Sequence, residues 1–298
     1  MHLIWKNQIL MEISSLTDIK KWAENYIKSF YCDDDFINEK TRLKHIHTYK
    51  VAEIIRWLAG ELGMNNQQIL LAEAIGLLHD IGRFRQIQVY RTFQDRDSES
   101  HSLLGVKVIN ELEVLEGIDE QKKQIILQSI EHHSDMDVNL PLGLPALTDL
   151  YLKMIRDADK LDICRVIKET HQKLLSSNYD SNFLVTLGIR RSEITDEYTE
   201  DVLQDVIQRR QADYNKVQTL TDRKLLQLCW VYDLNFRQTL KRFVDDGYIQ
   251  FFFDILPQNS GIMQAKKSVS SYIENKIHGL SSQLSLNSGE TGSIINAE

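Results

Sequence analysis

The fold of the chain is decided by residues 67–82, which read QQILLAEAIGLLHDIG. Apolar residues surround the helix that this stretch would form, and a helix without a polar face is typical of the buried centre of a bundle. The stretch ends on His79 and Asp80, and Gly82 closes it. Ionisable side chains are costly to bury unless they are paired, hydrogen-bonded or bound to a metal ion. The most apolar helix of the chain therefore leads directly to a candidate site.

Composition favours helices in the rest of the chain as well. Of 298 residues only 3 are Pro and 13 are Gly, fewer turn-forming residues than a sheet-rich fold needs. Hydrophobic residues make up 42% and charged residues 26%, which is ordinary for a folded globular protein. Among other elements, apolar spacing predicts a helix over Thr48–Leu62, and the polar stretch Arg83–Ser100 predicts a loop. The sequence thus predicts an all-α fold.

Charge and cysteine content narrow the functional classes. The formal net charge of −8 argues against general affinity for nucleic acid or an anionic membrane. Cys32, Cys164 and Cys229 are far apart, which predicts neither a disulfide framework nor a cysteine-rich zinc site and fits a reducing cytosol. No apolar run reaches the ~18 residues of a membrane span, and Met1–Leu10 lacks the continuous apolar core of a signal peptide. We expect a cytoplasmic protein without a membrane partner.

Further ionisable residues lie on apolar helix faces. His47 precedes Val51 by four residues and so shares its face, and Asp159 lies in a core stripe with Ile155 and Ile163. Taken singly, each residue fits a structural role. Taken together, they could converge at the centre of a bundle. The full set of such candidates is His47, His79, Asp80, His101, His132, His133 and Asp159.

Imidazole and carboxylate ligands suit Zn, Mn, Fe or Ni and do not suit Ca. The two oxygens of one carboxylate, such as that of Asp80, could bridge two ions. Two bridged ions could share a hydroxide and clamp a phosphoryl group from two sides. The residue types alone therefore point to a metal-dependent reaction on a phosphorylated compound.

The order of these residues resembles that of the HD-domain superfamily of metal-dependent phosphohydrolases. The resemblance covers about residues 43–170 and rests on His47 with Val51-Ala52, on Leu78-His79-Asp80-Ile81-Gly82, and on Asp157-Ala158-Asp159-Lys160-Leu161-Asp162. It implies a helical bundle in which His47, His79, Asp80 and Asp159 hold one divalent metal ion. Asp159 matches the family's ligand position between Ala158 and a basic residue.

Two further elements resemble those of the two-metal branches. His101-Ser102-Leu103-Leu104-Gly105 is similar to their His-x-x-x-Gly element, and Glu131-His132-His133 is similar to the His-His element of the branches that cleave cyclic dinucleotides. They imply a second ion on His101 with His132 or His133. The Asp-Gly and Gly-Tyr-Pro signature of those branches is absent, because residues 134–137 read SDMD, and Arg83 replaces their Lys. Residues 82–86 with 92–95 instead resemble a set of bacterial HD proteins with mostly undefined substrates.

The predicted function is metal-dependent hydrolysis, through a metal-bound hydroxide, of a phosphoester or phosphoanhydride in a small phosphorylated molecule such as a nucleotide. Asp80 is predicted to act in catalysis, with Arg83 and Lys160 as contacts to the phosphate. Two alternatives stay open: a di-iron oxygenase of the HD type, and a non-catalytic nucleotide-binding regulator. A homo-oligomer also stays open.

The resemblance together with the composition and apolar spacing of the flanking segments sets the expected organisation of the chain. We predict a helical lead-in over residues 1–30, an HD metal-binding core over 31–177, a C-terminal helical extension over 178–280 and a disordered tail over 281–298.

Overall fold

The structure is a computed structural model that describes residues 15–136, 140–180, 184 and 189–287, with the backbone alone for 278–287. Within these ranges the regular secondary structure is helical and contains no strand. The all-α prediction is therefore confirmed. Residues 1–14 of the predicted lead-in and residues 288–298 of the predicted tail lie outside the described residues.

The chain divides into two compact units between Ile163 and Cys164. The helices that lie in the first unit or begin there are α1 (Leu16–Lys28), α2 (Asp35–Glu61), α3 (Asn66–Leu78), α4 (Ile81–Tyr90), α5 (His101–Glu111), α6 (Glu120–His132) and α7 (Thr148–Ser176). The helices of the second unit are α8 (Glu200–Ile207), α9 (Leu220–Cys229), α10 (Arg237–Asp245), α11 (Tyr248–Asp254) and α12 (Ser260–Asn287). Short 3₁₀ turns lie at Asp95–Asp97, Arg191–Glu193, Tyr214–Lys216 and Trp230–Asp233.

Helix α3 is the centre of the first unit, as its sequence predicts. It packs against α1, α2 and α6, and Ile75, Leu77 and Leu78 are buried. The helix ends at Leu78 rather than at Gly82, so His79 and Asp80 form the turn between α3 and α4. The two ionisable residues therefore lie at a helix junction, where a polar side chain can point inward without interrupting a helix.

Two further sequence predictions about helix limits are wrong. Residues 83–90 are helical rather than a loop, because the buried residues Ile81, Phe84 and Ile87 repeat at helical spacing. Helix α2 begins at Asp35 rather than Thr48, because the Asp34 carboxylate accepts a hydrogen bond from the amide of Ile37 and caps the helix.

In the second unit, α8 packs against α9 and α12, and α10 packs against α11 and α12. Helix α12 continues to Asn287, so residues 281–287 are helical where the sequence predicts a disordered tail. The predicted limits of the core, 31–177, and of the extension, 178–280, stay predictions. Among the described residues, every helix is either too short or too polar to span a lipid bilayer.

Candidate metal centre

Close backbone packing brings the first group of candidate ligands together. His47 lies on α2 and His79 follows α3, and these helices touch where a Cβ atom on Gly76 would lie 2.7 Å from the Cα atom of Ala52. Glycine is therefore the residue that permits this approach. As a result, the Nε2 atoms of His47 and His79 lie 3.3 Å apart.

Carboxylates of Asp80 and Asp159 complete this first cluster. The Nε2 atom of His47 lies 3.4 Å from Oδ2 of Asp80 and 3.1 Å from Oδ1 of Asp159. The Nε2 atom of His79 lies 3.6 Å and 3.8 Å from the same two oxygens. The structure thus brings together the four residues of the predicted first metal position.

A second cluster lies against the other oxygen of Asp80. Oδ1 of Asp80 is 3.6 Å from Nε2 of His101 and 3.9 Å from Nε2 of His133, and these two nitrogens are 3.1 Å apart. A second glycine contact positions His101, because a Cβ atom on Gly82 would lie 2.3 Å from its carbonyl oxygen. Asp80 therefore faces one pair of histidines with each of its oxygens.

His132 is not part of either cluster. Its Nδ1 atom lies 2.7 Å from a carboxylate oxygen of Asp135, and its side chain is partly exposed. His133, the next residue, is buried and points to Asp80. Of the two histidines that the sequence leaves open, the structure places His133 at the centre.

Hydrogen bonds on the far side of each ring fix which nitrogen faces the clusters. The Nδ1 atom of His79 donates to the carbonyl oxygen of Gly76 at 2.7 Å, and that of His133 donates to the carbonyl oxygen of Ile130 at 2.7 Å. A carbonyl oxygen can only accept, so each Nδ1 carries the proton of its neutral ring. The lone pair of each Nε2 therefore points to the clusters.

Carboxylates orient the other two histidines. The Nδ1 atom of His47 lies 2.7 Å from Oδ2 of the buried Asp162, and that of His101 lies 2.5 Å from Oδ2 of Asp95. Histidines that bind metal ions regularly donate their other N–H to a carboxylate or carbonyl in this way. Sequence reasoning missed Asp162 and Asp95 as orienting residues, since their role depends on side-chain direction.

The electrostatics of the clusters favour a cation. Burial lowers the pKa of His79, and lowers the pKa of His101 and His133 to about 4, so these rings are neutral. Burial alone would raise the pKa of Asp80 and Asp159, but the neighbouring cations and histidines hold both well below their usual range. Ionised carboxylates and neutral lone pairs therefore meet in a buried space.

His47 shows the strength of this negative potential. Burial and Lys44 lower its pKa, but hydrogen bonds with Asp159, Asp162 and Asp80 outweigh them and raise it to about 10. A positive charge is thus strongly favoured between these carboxylates. Nitrogen and oxygen donors in this arrangement fit a divalent transition-metal ion, which would take the place of the proton.

Arg83, a predicted phosphate contact, is held by several groups of the chain. Its Nη1 atom donates to Oε1 of Gln86 at 2.7 Å, to the carbonyl oxygen of Phe93 at 2.6 Å and to Oδ1 of Asp95 at 2.9 Å. Its Nε atom lies 3.5 Å from Oδ1 of Asp80. Residues 82–86 and 92–95 therefore form a network that supports Asp95 and, through it, His101.

Two other cations lie near the clusters. Lys160, the second predicted phosphate contact, is half-buried and its Nζ atom lies 3.5 Å from the carbonyl oxygen of Arg156. Lys44, which sequence reasoning missed, places its Nζ atom 2.6 Å from Oδ2 of Asp80. Its position three residues before His47 on a helix is the signal that could have identified it.

Among comparisons with known proteins, a family model matches the part of the chain that contains both clusters. The model of the family described as "HD domain" matches residues 45–164. Ribonuclease Y of Mesoplasma florum is 38% identical over 92 residues, which are 30% of this chain and 14% of that relative. No solved structure matches the chain. The segment of the chain that matches the family model contains all four histidines and both carboxylates of the two clusters.

Proposed function

We propose, from the match of residues 45–164 to the HD-domain family, that the protein is a metal-dependent phosphohydrolase. We propose a phosphoester or phosphoanhydride bond of a nucleotide as the bond that it cleaves, and two divalent ions as its cofactor. Mn, Fe, Ni and Zn all suit a mixed imidazole and carboxylate ligand set.

One observation carries the proposal: beside its ion pair with Lys44, Asp80 meets the lone pairs of three neutral imidazoles in one buried space. Each oxygen of Asp80 faces Nε2 atoms, which lie 3.4–3.9 Å away. Three of the four rings are neutral and hold their proton on the opposite nitrogen. Such a group is costly to bury unless a cation lies within it. The two oxygens of one carboxylate favour two adjacent cation positions.

Different residues of the chain would bind the metal ions, orient the histidine rings and contact the phosphate. Divalent ions bound at the clusters would activate water and neutralise charge on the phosphoryl oxygens. Asp80 would hold the two positions at a fixed separation, and Asp162 and Asp95 would orient the histidine rings. Arg83 and Lys160 stay proposed contacts to the phosphate.

Hydrolysis by the purified chain tests the proposal. The protein is loaded with Mn or Fe and assayed on nucleoside mono-, di- and triphosphates, phosphodiesters and a short RNA, which is included because a relative is named a ribonuclease. We expect metal-dependent cleavage of at least one substrate, and its loss in the His79→Ala and Asp80→Ala variants. Activity that survives either change, or oxygen uptake by the iron-loaded protein without phosphate release, would contradict the proposal.

Neighbouring histidines provide a matched control for the second cluster. His133→Ala removes a ring that faces Asp80, whereas His132→Ala removes a ring that contacts Asp135. We expect His133→Ala to lower metal content and activity by more than about 100-fold, beyond the usual effect of outer residues. We expect His132→Ala to retain both within a few-fold. The reverse result would move the second metal position to the exposed side of α6.

A further inference from the structure

Lys44 is a half-buried cation beside the first cluster. Its side chain is only 16% exposed, and its Nζ atom lies 2.6 Å from Oδ2 of Asp80. This is the oxygen that faces Nε2 of His47 and His79. An ammonium group thus approaches the first cluster from the side of α2.

A divalent ion in the first cluster would change the surroundings of this ammonium. Oδ2 of Asp80 would share its negative charge with the ion, so Lys44 would lose much of the attraction that holds it in place. An ammonium that is mostly buried needs another anion as partner. In a metal-loaded site, Lys44 therefore requires an anionic group that lies beside the ion.

Arg83 also approaches Asp80, but unlike Lys44 it has other partners and does not require a further anion. Both cations lie 5.7 Å from the ring centroid of Phe93, on the two sides of the same carboxylate. The Nη1 atom of Arg83 already donates to Gln86, Phe93 and Asp95. Lys44 is held by an ion pair with Asp80 itself. Its flexible stem also lets the ammonium turn to a ligand.

From these contacts we propose that Lys44 binds the phosphoryl group of the substrate at the first metal position. The proposal rests on the proposed function for the identity of the anion as a phosphoryl group. In the metal-free site the ammonium pairs with Asp80, and in the loaded site it donates to a phosphoryl oxygen. Lys44 thus acts in substrate binding, and the metal ligands do not depend on it.

The test uses inorganic phosphate as the probe and the full chain loaded with Mn. Phosphate binding is measured by isothermal titration calorimetry for the wild type, Lys44→Met and Lys44→Arg, and metal content is measured in each. Lys50→Met is the matched control, because Lys50 lies on the same helix but is exposed and pairs with Glu53. Since a charge-assisted hydrogen bond is lost, we expect roughly 10- to 100-fold weaker phosphate binding in Lys44→Met. We expect partial recovery in Lys44→Arg and no change in Lys50→Met.

Metal content separates substrate binding from a structural role. Lys44→Met should retain the metal content of the wild type, since it removes a positive charge from beside the ions. Loss of metal together with phosphate binding in both Lys44 variants would overturn the proposal and make Lys44 a structural residue. Unchanged phosphate affinity in Lys44→Met, or no phosphate binding by the loaded wild type, would overturn it as well.

Turnover distinguishes this inference from the proposed function. If phosphate binding depends on Lys44 but no phosphorylated substrate is cleaved, the inference holds and the proposed hydrolysis fails. If a substrate is cleaved and Lys44→Met leaves both phosphate affinity and KM unchanged, the hydrolysis holds and the inference fails. If both hold, Lys44→Met raises KM by more than it lowers kcat.

Discussion

Both units of the chain bury carboxylates, but the carboxylates have different partners. In the second unit, Asp222 is fully buried and accepts hydrogen bonds from the amides of Thr199, Gln218 and Thr219 at 2.7–3.1 Å. In the first unit, Asp80 faces four imidazole nitrogens. Backbone donors satisfy the first acid, whereas the second has an ion pair with Lys44 and otherwise faces imidazole nitrogens that suit a metal ion. Burial of an acid thus does not identify a site, but the chemistry of what surrounds it does.

Other acids of the second unit follow the structural pattern. Asp205 lies 2.7 Å from Nη2 of Arg210, and Glu193 lies 2.6 Å from Nε of Arg190 and 2.9 Å from Nη2 of Arg223. Each of these acids is buried and pairs with an arginine whose own side chain is largely exposed. We therefore expect changes at Asp80 to lower metal content and changes at the acids of the second unit to lower stability.

The largest effect is expected for Asp80→Asn. The variant removes the negative charge that both clusters share, so we expect metal content and activity to fall by more than about 100-fold, the upper range for residues outside the ligand set. Metal analysis after gel filtration and the hydrolysis assay measure the two quantities. Asp205→Asn is the control, because it removes an equally buried charge of the second unit, where the acid pairs with Arg210; this variant should keep its metal. Equal metal loss in both variants would contradict the distinction between the two kinds of acid.

Asp222→Ala should lower the stability of the protein and leave its metal content unchanged. The Asp222→Ala change leaves three part-buried amides without this acceptor, and we expect the free energy of unfolding to fall by about 1–3 kcal/mol. Metal content at 25 °C should stay that of the wild type. Urea denaturation measures the free energy of unfolding, and Asp201→Ala, a change at an exposed residue, is the control. A stable Asp222→Ala variant that loses metal would show that the second unit takes part in metal binding.

Smaller and separate effects are expected for the orienting carboxylates. Asp162→Asn weakens the support of His47, and Asp95→Asn weakens that of His101, so each should lower affinity at one of two metal positions by about 10- to 100-fold. Titration with Mn should show one weakened and one intact site in each variant. Asp97→Asn, an exposed neighbour of Asp95, serves as control. A uniform loss over both sites would contradict the division into two clusters.

Sequence patterns predicted most residues of the two clusters, and the residues that they did not predict were missed for physical reasons. The apolar stretch that ends in His79 and Asp80 predicts a buried helix, and the family order adds His47 and Asp159. The choice between His132 and His133 depends on the rotation of α6, which a sequence does not fix. The role of Asp162 depends on a hydrogen bond to one ring nitrogen of His47, and that bond exists only once both helices are packed.

The smallest effect concerns an acid of the first unit that has donors, Glu24. Lys28, Tyr49 and His45 all contact its carboxylate, and although burial opposes them they lower its pKa from 4.5 to about 2. A lowered folded-state pKa stabilises the protein above pH 4.5, and that contribution is lost as the pH falls to about 2. Because the carboxylate is partly exposed and screened by solvent, we expect at most about 1 kcal/mol. The unfolding free energies of wild type and Glu24→Gln should differ at pH 7 and converge toward pH 2.5, without any change in metal content at pH 7. A difference that persists at pH 2.5 would mean that Glu24 acts through packing rather than charge, whereas metal loss at pH 7 would place it with Asp80 instead of Asp222.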